Sequence, residues 1–369
     1  MNKILTIIIP SYNMEAYLPK CLGSLIIDDK QLLQKLDIIV VNDGSKDRTS
    51  EIAHEFQVKY PDVFRVVDKK NGHYGSCINA ALPIARGCYI KVLDADDYVN
   101  TESFESYCKI VFNEAEKGDA GADMLVSSYQ NVMNDGKGMD IVDFGLNERA
   151  EYYTLVEYPA TSPRFTIHAV AYRTSMLIKM GYRQTEGICY TDTEWIIEPM
   201  SRVRRFRYFH NAVTCYRLGR DGQSMDAATF ARDFQNVANI TIGIIQRYDR
   251  MLDGCESLSL GYYHLQILDM VKMVYLCWRE GYEGYKAMVD ISDFEKKIKG
   301  RADFYEQAGD FSLGVVHYRF YYVRDWRRWH CRYTFAWLAY RVVMMLLIPY
   351  CAVKSKISRR KRVVDAVKS

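Results

Sequence analysis

The sequence predicts an α/β fold on a parallel sheet, followed by a mostly helical region and a basic amphipathic tail. Apolar runs rich in β-branched residues alternate with helical stripes through the first third of the chain, which is typical of repeated strand–helix units. Helical spacing then dominates residues 227–308. The 369 residues are 49% hydrophobic and 26% charged, the composition of a folded globular protein.

Five apolar runs predict the strands, and the segments between them predict helices. The first run, residues 4–9, stops at Pro10 and resembles a strand buried on both faces of a sheet. The other predicted strands are residues 36–41, 64–67, 89–93 and 124–128. The predicted helices begin after Asn13 as N-cap, span residues 45–60 and 76–85, and follow the apolar stripe Phe104, Cys108, Val111, Phe112 and Ala115. Residues 134–170 have weak periodicity, which predicts only mixed structure.

The charge is unevenly distributed along the chain. Four lysines and nine arginines against two aspartates give residues 319–369 a net charge of +11, which leaves −8 for residues 1–318 out of a total of +3. A basic tail on an acidic body indicates a negatively charged partner, either nucleic acid or an anionic membrane. Because the body offers no continuing basic track, no nucleic acid is expected.

The tail, residues 319–369, has an aromatic stripe opposite a set of arginines. Trp326, Trp329, Tyr333, Trp337 and Tyr340 share one face of a helix, a pattern that favours lying in an anionic membrane surface. A span over residues 333–353 would be long enough, but Arg341 would cost about 3 kcal/mol at its centre. Peripheral attachment is therefore preferred to a single pass. In the alternative, the helix packs on the body or on a second subunit of a homo-oligomer.

The ten cysteines contain no C-x-x-C pair, which favours reduced, packed thiols in a cytosolic protein. The apolar stretch near the N-terminus is too short for a signal peptide. With the tail, these features predict a location at the cytoplasmic face of the cell membrane.

Carboxylates cluster where predicted strands end. Asp94, Asp96 and Asp97 follow the strand that ends at residue 93, and Asp43 follows the strand that ends at residue 41. Three carboxylates this close are costly without a cation, and their oxygens suit Mg²⁺ or Mn²⁺ bridging to a diphosphate. Asp43 is placed to accept hydrogen bonds from a nucleobase. In the structural alternative, Asp94, Asp96 and Asp97 form an acidic loop that binds no ligand. Asp43 then belongs to an Asp-Gly turn, and the following serine caps a helix.

Five motifs in order resemble the GT-A fold glycosyltransferases of family 2 over residues 3–225. The first turn, Pro10-Ser11-Tyr12-Asn13, lacks the G-x-G-x-x-G of dinucleotide-binding folds. The motifs are Thr6-Ile7-Ile8-Ile9-Pro10-Ser11-Tyr12-Asn13, Val41-Asn42-Asp43-Gly44-Ser45-Lys46-Asp47, Asn71-Gly72 with Gly75-Ser76 and Asn79, Asp94-Ala95-Asp96-Asp97, and Thr191-Asp192-Thr193-Glu194. The resemblance implies a GT-A nucleotide-sugar-binding, Rossmann-like sandwich.

The resemblance also implies roles for individual residues. Asp192 would be the catalytic base, and Asp96, with Asp94, would hold the metal. The donor would be a nucleotide sugar, with UDP as the expected nucleotide. Its expected contacts are Pro10, Tyr12, Asn13, Asp43, Asn71, Gly72 and Asp94. Where the family pattern has Ala-Arg-Asn, this chain has Cys77-Ile78-Asn79, so Lys91 or Arg220 is expected, from charge alone, to contact the phosphates.

The predicted function is inverting, metal-dependent transfer of a sugar to a lipid-linked or glycan acceptor in surface-polysaccharide synthesis. The predicted domains are residues 1–225 for catalysis, 226–318 for the helical region and 319–369 for the tail. A sugar nucleotidyltransferase is disfavoured because the first turn is not a glycine-rich phosphate loop. The remaining alternatives are a non-catalytic, membrane-tethered nucleotide-sugar-binding or scaffold protein, and, for Asp192 alone, the N-cap of a helix.

Overall fold

The fold was obtained as a computed structural model. It describes residues 2–135, 137–146, 150–158, 164–220, 223, 226–253, 255–309, 312–313, 318–319, 322–329 and 342. Two compact units are present, Met1–Lys297 and Ile298–Ser369. The domain boundaries expected at residues 225 and 318 stay predictions.

In its described residues, the first unit is built on a mixed sheet of nine strands. The strands are β1 (Leu5–Ser11), β2 (Leu36–Asn42), β3 (Phe64–Asp68), β4 (Tyr89–Val92), β5 (Tyr98–Val99), β6 (Met124–Met133), β7 (Gly138–Val142), β8 (Val170–Arg173) and β9 (Phe206–Leu218). Their order is β3-β2-β1-β4-β8-β6-β9-β5, with β7 paired to β6. The first four strands are mutually parallel, as predicted, whereas β8 runs antiparallel to both β4 and β6. In the second unit, β10 (Ser312–Leu313) and β11 (Tyr318–Arg319) form a short antiparallel pair.

Helices connect and follow these strands. They are α1 (Leu18–Ser24), α2 (Lys30–Leu33), α3 (Thr49–Lys59), α4 (His73–Ala81), α5 (Thr101–Glu116), α6 (Thr174–Lys179), α7 (Asp192–Ile197), α8 (Ala227–Arg232), α9 (Phe234–Leu252), α10 (Ser257–Glu280), α11 (Ile291–Ile298), α12 (Ala302–Ala308) and α13 (Tyr322–Trp329). The helical region expected over residues 227–308 is confirmed by α8 to α12.

The apolar run at the start of the chain lies at the centre of the sheet. Successive side chains of a strand point to opposite faces, so Ile7 and Ile9 pack in one core with α1, α3 and α5, while Ile8 packs in a second core with α4. All three are at most 1% exposed. Burial on both faces explains why the run has no polar alternation.

The ends of several predicted elements differ from the structure. Pro10 does not end β1: it pairs with Val41 and the strand continues to Ser11. Asn13 is not a helix cap, since it lies at φ 54° and its side chain accepts a hydrogen bond from Lys46 N. Helix α1 therefore begins only at Leu18. Pro83 is tolerated because α4 ends at Ala81 and a 3₁₀ turn follows over Leu82–Ile84.

Of the predicted tail, the structure describes Arg319, α13 and residue 342; the rest lies outside the described residues. Among the helices it does describe, none combines the length and apolar character that a bilayer crossing requires.

Candidate active site

The predicted site residues converge at the edge of the sheet where β1, β2 and β4 end. A cavity of about 440 Å³ opens there, as expected for the carboxyl ends of parallel strands. Its lining includes eight of the residues predicted from sequence: Pro10, Tyr12, Asp43, Asn71, Asp94, Asp96, Asp192 and Arg220.

Three other predicted residues do not line the cavity. Asn13 holds the neighbouring turn, with its backbone N–H donating to Ser45 Oγ at 3.0 Å. Gly72 acts through its backbone, which donates to Asp43 Oδ1 at 3.0 Å. Lys91 is 1% exposed, and its Nζ donates to the carbonyl of His168 at 2.6 Å. The phosphate contact expected of Lys91 from charge alone therefore does not fit its position beneath the cavity.

Asp43 is held by a lysine that the sequence did not single out. Lys69 Nζ lies 2.5 Å from Asp43 Oδ1 and also donates to Ser76 Oγ at 2.8 Å. The Asp43 side chain is only 4% exposed, so burying its charge requires this cation. Lys69 and the Gly72 N–H together fix one carboxylate oxygen of Asp43.

A second acidic group forms a compact cluster. One ligand atom each from Asp94, Asp97 and His168 lies within 4.8 Å of the others. Tyr74 donates to Asp94 Oδ1 at 2.7 Å. Asp97 Oδ2 is buried without a well-directed hydrogen bond, although His168 Nδ1 lies 3.3 Å away.

Asp96 has a different environment from its neighbours. Arg220 Nε donates to Asp96 Oδ2 at 2.7 Å, while Arg217 Nε donates to the Asp96 carbonyl at 2.8 Å. The backbone N–H of Arg217 also donates to Asp97 Oδ1 at 2.8 Å. Arg220 therefore neutralises Asp96, and the metal role predicted for Asp96 stays a prediction.

Burial shifts the titration of the groups around the cavity. It raises the pKa of Asp94 to about 7, with the charge of Asp97 adding to the effect. It also raises the pKa of Asp192 and lowers that of His168. Lys91, buried beneath the same carboxylates, has its pKa lowered to about 7. Burial and mutual repulsion thus disfavour the ionised forms of these carboxylates, and a nearby positive charge favours them.

Asp192 stands at the first position of α7, with Thr191 as the cap residue. Asp192 lines the cavity together with Cys189 and Tyr190, which precede the helix. The alternative prediction, in which Asp192 is only the N-cap of a helix, is wrong because Thr191 occupies the N-cap position.

Sequence reasoning missed several residues of this site. His168 stacks on Tyr216 with ring centroids 4.0 Å apart, and both line the cavity. His168 lies in the segment of weak periodicity, so no local pattern marked it. Lys69 follows β3 directly, and its place at a strand end was the one signal that could have found it.

Comparison with known families decides what this arrangement belongs to. Residues 6–179 match the model of the glycosyl transferase family 2. Residues 6–179 therefore form a glycosyltransferase domain of family 2. The matched residues include the cavity-lining positions from Pro10 to His168, whereas Asp192, Tyr216 and Arg220 line the same cavity from beyond the match.

Two named relatives and one solved structure show how far this similarity extends. The glycosyltransferase is 28% identical over 224 residues to the uncharacterized glycosyltransferase MG025 of Mycoplasma genitalium, across 60% of this chain and 70% of that one. It is 36% identical over 102 residues to chondroitin synthase of Pasteurella multocida, across 28% of this chain and 10% of that protein.

The structure of S. aureus TarS 1–349 in complex with UDP superposes with a TM-score of 0.56 at 19% identity, covering 83% of this chain and 80% of that one. At 19% identity, the superposition shows that the two proteins share a fold, and it shows nothing about a shared activity. The glycosyltransferase therefore has the GT-A fold, with helices in its C-terminal region.

Proposed function

We propose that this glycosyltransferase is an inverting, metal-dependent enzyme that transfers a sugar from a UDP-linked donor to a lipid-linked or glycan acceptor in surface-polysaccharide assembly. The observation that carries the proposal is the convergence of Asp43, Asp94 and Asp192 on one cavity. Such a reaction requires a residue that contacts the nucleotide, carboxylates that hold a metal ion, and a carboxylate that acts as general base. Asp43, Asp94 and Asp192 are proposed for these three roles, in that order.

Asp192 is the proposed catalytic base. It takes the proton from the acceptor hydroxyl as that oxygen attacks the anomeric carbon, and the bond to the donor diphosphate breaks on the opposite face. The raised pKa of Asp192, which burial causes, makes the carboxylate a stronger proton acceptor. Single displacement of this kind inverts the anomeric configuration.

The acidic cluster suits a divalent cation. Asp94, Asp97 and His168 would hold it, since they offer two oxygens and one nitrogen within 4.8 Å, and the buried Asp97 Oδ2 lacks a well-directed hydrogen bond. This donor set is suited to Mn²⁺, and Mg²⁺ remains the alternative. When bound, the ion neutralises charge on the leaving diphosphate. Arg220, paired with Asp96 at the cavity wall, is the proposed contact for the donor phosphates.

The donor is proposed to bind with its base at the β1 and β2 ends of the cavity. Tyr12, Asp43 and Asn71 line this end, and the Lys69 ion pair orients the Asp43 carboxylate. The UDP complex of TarS, which shares the fold, supports uridine as the base.

The acceptor and the location rest on other observations. The name of the related chondroitin synthase supports a glycan acceptor, and the +11 charge of residues 319–369 supports attachment to an anionic membrane at its cytoplasmic face. We propose residues 1–225, 226–318 and 319–369 as the catalytic, helical and membrane-attachment parts.

The test is a screen of UDP-sugars with the full chain, following UDP release with a glycan acceptor in Mn²⁺, in Mg²⁺ and after chelation. We expect release with one donor only when a divalent cation is present, and a product of inverted configuration by NMR. Equal release after chelation would contradict metal dependence, and a retained configuration would contradict the single displacement.

Asp192→Asn tests the base directly. Since general base catalysis contributes about 10²- to 10⁴-fold, turnover should fall within that range while UDP still raises the melting temperature. Asp135→Asn, which changes an exposed carboxylate in the turn after β6, is the matched control and should leave turnover unchanged. A scaffold protein would instead bind UDP with no turnover by any variant.

A further inference from the structure

Helix α9 reaches the proposed base through a buried ion cluster. Arg247 Nε donates to Glu198 Oε1 at 2.7 Å, and Arg247 Nη2 donates to Glu194 Oε1. The two glutamate side chains are 2% and 0% exposed, and that of Arg247 is 24% exposed. Two carboxylates this deeply buried are costly unless a cation lies between them. Arg247 therefore holds the cluster together.

The cluster also holds the loop that precedes α7. Glu194 accepts hydrogen bonds from Thr185 N at 2.6 Å and from Thr185 Oγ1 at 2.7 Å. Gln184 beside it exchanges two hydrogen bonds of 2.9 Å with the side chain of Asn79 on α4. The Arg247 guanidinium thus links α9 directly to α7. Through Glu194 and the loop before α7, it is linked indirectly to α4.

This cluster lies close along the chain to Asp192. Helix α7 begins at Asp192 and has only six residues, so it is too short to be stable or oriented by its own hydrogen bonds. Glu194 is the third residue of that helix, and Glu198 is the residue that ends it. The contacts of Glu194 and Glu198 therefore help to set the direction in which α7 presents Asp192 to the cavity, together with the packing of buried Trp195 on Tyr172 and Tyr182.

We propose that Arg247 is a positioning residue for the transfer reaction: through Glu194 and Glu198 it fixes α7 so that Asp192 meets the acceptor hydroxyl. This inference rests on the proposed role of Asp192 as base. It also assigns part of the catalytic apparatus to α9, in the helical region that follows the five sequence motifs.

The decisive variant is Arg247→Met, which keeps the volume of the side-chain stem and removes the cation. Two buried carboxylates then face each other without compensation, and α7 is expected to shift. Because a misplacement of about 1 Å can cost about 100-fold in rate, we expect kcat to fall 10- to 100-fold. The donor KM and the Kd for UDP should change less than threefold, since α9 contributes nothing to the donor end of the cavity lining.

Arg247→Lys should restore part of the lost kcat, because lysine keeps the charge but not the two-pronged geometry. If Arg247→Met does not fold, Arg247→Lys and Thr185→Ala carry the test, each with an expected fall in kcat of at least threefold at unchanged donor KM. The matched control is Arg204→Met, which breaks a comparable pair with the buried Asp123 away from the cavity lining. It should lower the melting temperature and leave kcat unchanged.

The inference is overturned if kcat of folded Arg247→Met equals that of the wild type, if kcat and UDP affinity fall together, or if Arg204→Met loses as much kcat. Asp192→Asn separates this result from the proposed function. Full turnover by Asp192→Asn would reject the base itself, whereas loss in Asp192→Asn with normal kcat in Arg247→Met would reject only the positioning role.

Discussion

Lys69 illustrates how one cation can prepare a binding residue. It bonds Asp43 Oδ1, Ser76 Oγ and the carbonyl of Lys70 with distances of 2.5, 2.8 and 2.7 Å. These three acceptors hold the ammonium in one place, and the ammonium in turn holds the carboxylate. A carboxylate fixed in advance loses less freedom when a ligand binds.

Lys69→Met should therefore weaken UDP binding. Hydrogen bonds to charged groups contribute about 1.5–3 kcal/mol, so we expect the Kd for UDP, measured by calorimetry, to rise at least tenfold. Lys109→Met is the control, because it breaks an exposed ion pair with Glu105 on α5 and should leave the Kd unchanged. An unaltered Kd in Lys69→Met would remove Lys69 from the donor site.

At the scale of elements, the close contact between α4 and the loop before α7 depends on a glycine, Gly75, at the point of contact. A Cβ placed on Gly75 would lie 2.0 Å from the carbonyl oxygen of Thr185. The backbone N–H of Thr185 in the same loop donates to Glu194 of α7. The loop therefore contacts both helices, so a shift of the loop away from α4 would also affect α7.

Gly75→Ala should destabilise the protein although alanine favours helices. The steric clash with backbone is expected to cost about 1–3 kcal/mol, which exceeds the gain of up to about 1 kcal/mol from helix propensity. Gly23→Ala in α1 is the matched control, since nothing lies within 4 Å of the added Cβ, and it should raise stability or leave it unchanged. Chemical denaturation of both variants measures the difference, and stabilisation by Gly75→Ala would contradict the packing.

Helix α5 carries a buried carboxylate that links it to β9. The Glu114 side chain is 0% exposed and bonds Lys117 at 2.9 Å and Arg207 at 2.6 Å. Burial alone would raise the pKa of Glu114, but the hydrogen bonds from Lys117, Ala122 N–H, Arg207 and Tyr152 outweigh it, and the pKa is lowered.

A lowered pKa makes the stabilisation by Glu114 depend on pH. It is fully present above the unfolded pKa of about 4.3 and is lost as the pH falls through the folded value. Glu114→Gln should therefore cost about 2 kcal/mol at pH 7, and the difference in melting temperature from the wild type should shrink below pH 4. Glu51→Gln, which removes an exposed pair with Arg48, should change little at either pH. A difference that stays constant with pH would reject this role for Glu114.

At the scale of the whole molecule, the uneven charge predicts that the basic tail attaches the enzyme to an anionic membrane. Replacing Lys354, Lys356, Arg359, Arg360, Lys361 and Arg362 by glutamine removes six charges from the tail. Each basic residue near an anionic surface contributes about 1 kcal/mol, so binding to phosphatidylglycerol vesicles should fall at least about 100-fold, with turnover of a soluble acceptor unchanged. The control variant replaces Lys296, Lys297 and Lys299 of the α11 segment and should float normally. Equal flotation of the tail variant would refute electrostatic attachment.

Local pattern predicted the first half of the fold well. The parallel strands β1, β2 and β4 were evident because burial on both faces requires continuous apolar runs such as residues 4–9. The ends of elements were less well predicted: Asn13 has the side chain of a cap but bonds Lys46 N on another turn. Its backbone N–H donates to Ser45 Oγ, and both of these partners are distant in sequence.

The sequence by itself determined the family, the fold class and eight of the twenty residues that line the cavity, because residues after parallel strands must meet at one sheet edge. The tertiary structure alone decided which charges pair. Lys69 with Asp43, Arg220 with Asp96, and Arg247 with two glutamates are separated by 26, 124 and up to 53 positions. A pairing of buried charges is set by distance in space, and no periodicity in the chain encodes it.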